Sequence, residues 1–307
     1  MTRTLSNSDS NATHPHPGPL PDGEGGPGWQ VAPVYVVFFL SGAAALTYEI
    51  SWSRQIGLLF GNTASAAATV LASYFIGLAV GYALAGRFAD YAKRPLLAYG
   101  VMELCAAAWA LVVPLLIASL RKGELAEHLH AMTPQWRFAS RAMLCILLFL
   151  PGTTTLGATL PLMARWVGEG RRGSSNRVAC AYGLNTFGGL VGVLLATIVL
   201  LSQVGVVGSS YLAAALSAVC GFAAIACSIL AVGRISNPSP NTSKFNFDPV
   251  TNWAPTFRLF LLVALSGFIT LALEVLYTRL FALAFHNSTY TFGLIIAIVL
   301  LGLAGGA

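Results

Sequence analysis

From Val31 onward the chain is a succession of apolar runs, each long enough to cross a lipid bilayer and separated from the next by a short polar break. A hydrocarbon layer takes about 20 residues of helix. Runs of that length lie at 33–59, 64–86, 95–119, 139–164, 178–202, 209–232 and 257–283, and a last, truncated one at 289–307. A soluble domain carries about 25% charged residues, whereas this chain of 307 residues is 9% charged and 56% hydrophobic. The spans should be helices, because an isolated strand leaves its backbone unsatisfied in lipid and the short alternating segments of an outer-membrane barrel are missing. The formal charge of +6 would suggest a nucleic-acid partner in a soluble chain. Here the basic residues sit between spans, where they set topology, so the expected partner is the lipid bilayer and not nucleic acid.

Residues 1–30 are rich in Pro, Gly, Ser and Asn and are expected to form a disordered N-terminal tail. No basic start followed by an apolar run and a cleavage site precedes Val31, so the first span reads as an uncleaved anchor. Gly23-Glu24-Gly25-Gly26-Pro27-Gly28 matches a dinucleotide-binding string, but it follows no strand and opens no helix. No cofactor is expected. Cys105, Cys145, Cys180, Cys220 and Cys227 lie in or beside apolar runs, without a CxxC spacing, and read as small helix-contact residues. His14-x-His16 and His128-x-His130 are too sparse for a metal centre.

With the N-terminus placed inside, Arg3, Arg87, Lys93, Arg94, Arg165, Arg171, Arg172, Arg177, Arg234, Lys244 and Arg258 fall on one side of the membrane. The other side holds Arg121, Lys122, Arg137 and Arg141, while Arg54 and Arg279 belong to the spans themselves. This bias puts the N-terminus in the cytoplasm. The Pro- and Asn-rich stretch 233–256 then becomes a cytoplasmic linker between a six-helix membrane half at 31–232 and the first two helices of a second half at 257–307.

An internal repeat supports that division. Residues 40–81 align on 265–306 without gaps, pairing Ser41 with Ser266, Gly42 with Gly267, Glu49 with Glu274, Arg54 with Arg279, Asn62 with Asn287, Gly77 with Gly302 and Gly81 with Gly306. Charged and glycine positions recurring at fixed spacing point to duplication. Six spans separate the copies, so they run in the same direction, as in parallel halves related by an axis along the membrane normal. The expected fold is an all-α polytopic helix bundle, major-facilitator-like, with parallel six-helix repeats and a truncated second half. The last residues, Leu303-Ala304-Gly305-Gly306-Ala307, bring no basic flank or helix stop, which reads as a fragment of a longer protein.

Ionisable groups inside a span cost roughly 2.5–3.5 kcal/mol each on insertion scales, so Glu49, Glu103 and Glu274 need partners or a watery cavity. Glu49 and Arg54 project about 140° apart around one helix and are poorly placed to pair. A two-fold axis would instead set Glu49 against Arg279 and Glu274 against Arg54, either as a polar cluster lining a cavity or as a structural clamp. Glu103 lies near the cytoplasmic boundary and reads as a partner of Arg94 or Arg87, or else as a proton-coupled site.

The loop Gly86-Arg87-Phe88-Ala89-Asp90-Tyr91-Ala92-Lys93-Arg94-Pro95 resembles the cytoplasmic loop motif of the major facilitator superfamily through Gly86, Arg87, Asp90 and Arg94, but lacks that motif's second glycine. It also fits an ordinary basic inner loop. Pro151, Gly152 and Pro161 are expected to kink or break the fourth span, either along a substrate path or as a common membrane-helix bend. Gly77-xxx-Gly81, Gly302-xxx-Gly306 and Gly188-xxx-Gly192 should be close-packing sites.

The strings FFLSGAAALTYEISWSRQIGLLFGNTASA, LASYFIGLAVGYALAGRFAD, LPGTTTLGATLPLMARWV, YGLNTFGGLVG and LSGFITLALEVLYTRLFALAFHNSTYTFG resemble the membrane portion of bacterial fused major-facilitator/spermidine-synthase-like proteins, over about residues 35–307. The resemblance implies a multi-pass protein of the bacterial inner membrane, continued by a C-terminal aminopropyltransferase-like domain. No strand, Gly-rich turn and helix unit of such a domain is found in this sequence, so no catalytic or cofactor-binding residues are assigned. Two functions follow as expectations. One is a membrane platform that holds or feeds the aminopropyltransferase-like domain; the other is a major-facilitator-like transporter whose substrate is an amine or a related small molecule.

Overall fold

The structure is a computed structural model, and it describes residues 32–61, 64–89, 91–122, 129, 131–168, 174–232, 253–284 and 289–306. The expected tail and residues 233–252 of the expected linker lie outside that set. Among the described residues the long elements are all helices: α1 (Ala32–Phe60), α2 (Ala64–Ala89), α3 (Pro95–Lys122), α4 (Pro134–Gly168), α5 (Ser174–Leu195), α6 (Gly205–Val232), α7 (Trp253–Ala284) and α8 (Thr289–Gly306). Each covers one of the apolar runs. The first seven are long and apolar enough to cross a membrane, and α8 holds a shorter apolar core at Gly293–Leu303.

The helix ends follow local chemistry. Gly61, with φ of 86°, closes α1 in the left-handed region that glycine enters without a Cβ penalty. Pro95 and Pro134 open α3 and α4 at the position where the missing N–H costs no helical bond. Beyond α5 the helix widens through a π turn at Ala196–Leu200 and ends in Leu201–Gln203, before Gly205 (φ 75°) turns the chain into α6.

Polarity in the bundle is inverted relative to a soluble protein. Leu58, Leu115, Phe222 and Leu230 lie on the outside, whereas Ser51, Glu103, Thr153, Ser209, Ser210 and Ser217 are buried. Water would penalise the first group. Lipid accommodates it, and the second group must then find partners within the protein. Together with the length of the helices, this pattern makes the protein a multi-pass integral membrane protein.

Helix α1 is the hub, with half of its residues or more turned inward. Around Tyr48 and Trp52 it meets Tyr74 of α2, Ala106 and Ala110 of α3, Phe149 of α4 and Ala213 of α6. Around Phe38 it meets Tyr99 of α3, Met163 of α4 and Cys220 of α6. Around Ile50 it meets Leu190 and Val193 of α5 and Ile296 of α8. Outside the hub, α2 lies along α4, α3 lies against α6 and α4, and α8 lies against α5 and α7.

Glycine sets the closest of these approaches. A Cβ on Gly188 or Gly192 would strike the backbone carbonyls of Phe39 or Ala43, and one on Gly42 would strike that of Asn185. The α1–α5 contact is therefore backbone to backbone, and Asn185 Nδ2 adds a bond to the Phe38 carbonyl at 2.9 Å. Gly77 and Gly81 of α2 pass Thr153, Thr154 and Gly157 of α4 in the same manner. The repeat copy Gly302 has open space where a Cβ would point.

The run containing Pro151, Gly152 and Pro161 is helical throughout α4, without the break that was one of its two expected forms. Threonine hydroxyls keep nearby carbonyls bonded: Thr153 donates to Phe149 O at 2.8 Å, Thr155 to Gly152 O at 2.7 Å and Thr159 to Leu156 O at 2.6 Å. Gly152 makes room for aromatic rings, since a Cβ there would lie 2.7 Å from Trp109 Cδ1 and 3.1 Å from the Trp52 ring.

Candidate functional site

Among the described residues three carboxyl groups enter the bundle. Glu49 of α1 is 4% exposed, Glu274 of α7 is 6% exposed and Glu103 of α3 is fully buried. They form two separate sites.

Glu49 and Glu274 occupy equivalent positions of the repeat, and their carboxyl groups lie near enough to interact electrostatically. Both acids are thus turned into the bundle, one from α1 and one from α7. Tyr74 of α2 also lies within the field of Glu49, and its hydroxyl donates to Ala45 O at 2.8 Å. Two like charges in a low-dielectric interior repel far more strongly than in water. Arg54 is half-buried on α1, and the side chain of Arg279 lies outside the described residues, as does Asp90 of the loop motif. Of the other loop residues, Gly86, Arg87 and Arg94 are exposed.

Glu103 is held differently from either Arg pairing expected for it. The Ser41 hydroxyl of α1 donates to Glu103 Oε1. Tyr99 and Ser217 gather around the same carboxyl group, and Tyr48 reaches toward Ser217. Yet Glu103 Oε2 and the hydroxyl oxygens of Tyr48, Tyr99 and Ser217 complete no well-formed hydrogen bond among the described residues. Buried polar atoms in native proteins are nearly always satisfied. The sequence offered one trace of this cluster, Ser41 recurring as Ser266, but Tyr48, Tyr99 and Ser217 gave no pattern among other apolar-run residues.

Polar contacts elsewhere on α1 complete the hub. Trp52 Nε1 donates to Ser210 Oγ at 2.9 Å, and Thr47 donates to Ala43 O at 2.7 Å within its own helix. Among the described residues no group of three or more His, Cys, Asp or Glu side chains is arranged to hold a metal ion. No family model, curated protein or solved structure matches this chain.

Proposed function

We propose that this integral membrane protein is a major-facilitator-like carrier of small amines, in which Glu49 and Glu274 are the acids that receive the cationic substrate. The observation that carries this reading is the burial of two repeat-related carboxyl groups inside the bundle, with Glu274 in the field felt by Glu49. Acids buried in a membrane face cavities or partners rather than lipid, and carriers built from repeats place their substrate sites where the repeats meet. An alkyl diammonium ion carries one ammonium group for each of the two carboxyl groups. The basic bias of the loops supports a cytoplasmic N-terminus. The platform reading, with an aminopropyltransferase-like domain held at the membrane, draws on the sequence resemblance alone.

The test is uptake of radiolabelled putrescine by proteoliposomes containing the full chain, beside its Glu49→Gln and Glu274→Gln variants. Uptake should fall about tenfold or more in each variant, the loss expected when an interaction of roughly 1.4 kcal/mol is removed. Equal uptake by all three proteins, or none by the unmodified one, would contradict the proposal.

A further inference from the structure

Away from the acids, at the start of α2 and α4, lies a half-open pocket of about 160 Å3 whose lining includes Phe60, Ser65, Thr69, Arg137, Arg141 and Cys145. That is several times the roughly 30 Å3 that one water takes in the liquid. Arg137 and Arg141 are four residues apart on α4 and so share a face of the helix. The Arg141 guanidinium lies over the Phe60 ring, 5.2 Å from its centre, and Arg137 Nη2 donates to Met132 O at 3.0 Å. These contacts fix both planes but leave the Nε atoms unused: each is buried and has no acceptor among the described residues.

Nothing in the described lining offsets the two positive charges, because no acidic residue is part of it. The first turn of α2, at Ser65 and Ala66, and Pro134 at the start of α4 also border the cavity. The positive ends of two helix dipoles therefore add to the field of the guanidinium groups. Arg137 and Arg141 also belong to the side of the sequence that is otherwise poor in basic residues, so topology signalling gives little reason for them.

We propose that this pocket binds a phosphate group, gripped by the terminal N–H donors of the Arg137 and Arg141 guanidinium groups. The planar guanidinium fork matches phosphate oxygens with paired donors. Phospholipid headgroups and free phosphate share this chemistry, and the experiment separates them.

The full chain is placed in dodecyl maltoside micelles, which carry no phosphate, and amide hydrogen exchange is followed over residues 64–70 and 134–145. Inorganic phosphate is titrated at constant ionic strength against chloride, and a parallel sample uses micelles containing phosphatidylglycerol. Slower exchange with phosphate in lipid-free micelles identifies a free anion as a ligand, and slower exchange with phosphatidylglycerol alone identifies the headgroup; either result supports the site. Arg137→Gln/Arg141→Gln should shift the half-effective concentration of phosphate, or the required fraction of phosphatidylglycerol, about tenfold upward. Arg121→Gln/Lys122→Gln, which removes equal charge from the exposed end of α3, should leave it unchanged. Arg137→Lys/Arg141→Lys keeps the charge without the fork and should weaken binding in the same direction, which covers the case of a glutamine variant that does not fold. No protection from either source, equal protection by chloride, or equal weakening in the α3 variant would overturn the proposal.

Discussion

Trp52 stacks on Phe149 with ring centres 5.4 Å apart and planes inclined by 6°. The other end of the same indole donates its N–H to Ser210, so one side chain ties α1 to both α4 and α6. Trp52→Phe should keep much of the ring contact and lose the hydrogen bond, lowering stability by about 1 kcal/mol. Trp52→Ala should cost about 3–5 kcal/mol through the cavity it leaves. Denaturant or thermal unfolding in detergent micelles checks the order.

The glycines divide into two classes with opposite expected responses. Gly81 and Gly188 face backbone atoms of neighbouring helices, whereas Gly57 and Gly86 have open space where a Cβ would point. Alanine at Gly81 or Gly188 should destabilise by about 1–3 kcal/mol, the usual cost of overpacking. Alanine at Gly57 or Gly86 should stabilise by about 0.4–1 kcal/mol, because the unfolded chain loses freedom at no steric cost. Unfolding midpoints for the four single variants decide the matter.

The Glu103 cluster gives a third expectation. Glu103→Ala removes the acceptor used by Ser41 and isolates hydroxyl groups that already lack good partners. Leaving such a buried group unmet costs about 1–3 kcal/mol, so Glu103→Ala should unfold at lower denaturant concentration. Glu103→Gln preserves an acceptor oxygen and should recover part of that loss. A loss equal in both variants would argue that the hydrogen bond contributes nothing.

How far the sequence could be read depended on which force set each feature. Span positions were legible because the length of an apolar run is fixed by the hydrocarbon thickness; α1 falls on its run to within one residue, while α2 and α3 extend three residues past theirs and α6 begins four residues before its own. The apolar run starts at 139 rather than Pro134 because Gln135 and Arg137 interrupt it, although Pro134 itself is a favourable first helical residue. Glu103 was assigned to Arg94 or Arg87 by nearness along the chain. Rotation about the helix axis decides such contacts, and a helix apolar on nearly every face discloses little of its rotation. Arg137 and Arg141 were counted as topology markers for a related reason: their convergence on a cavity with Phe60 depends on how α1 and α4 meet. The repeat points to Glu49 against Arg279 and Glu274 against Arg54; the Arg279 side chain lies outside the described residues, and Glu49 lies in the field of Glu274.

The account rests on the first and seventh helices meeting at their matching acids, and cross-linking tests that placement most directly. In a full chain whose five native cysteines are replaced by serine, Glu49→Cys and Glu274→Cys are introduced together in native membranes and treated with a short thiol-specific bifunctional reagent. Peptide mapping should recover a linkage between α1 and α7 within single chains, in much higher yield than for Glu49→Cys paired with Ile269→Cys, whose site on α7 faces outward at 48% exposure. Equal yields for the two pairs, or no linkage at Glu274→Cys, would contradict the account.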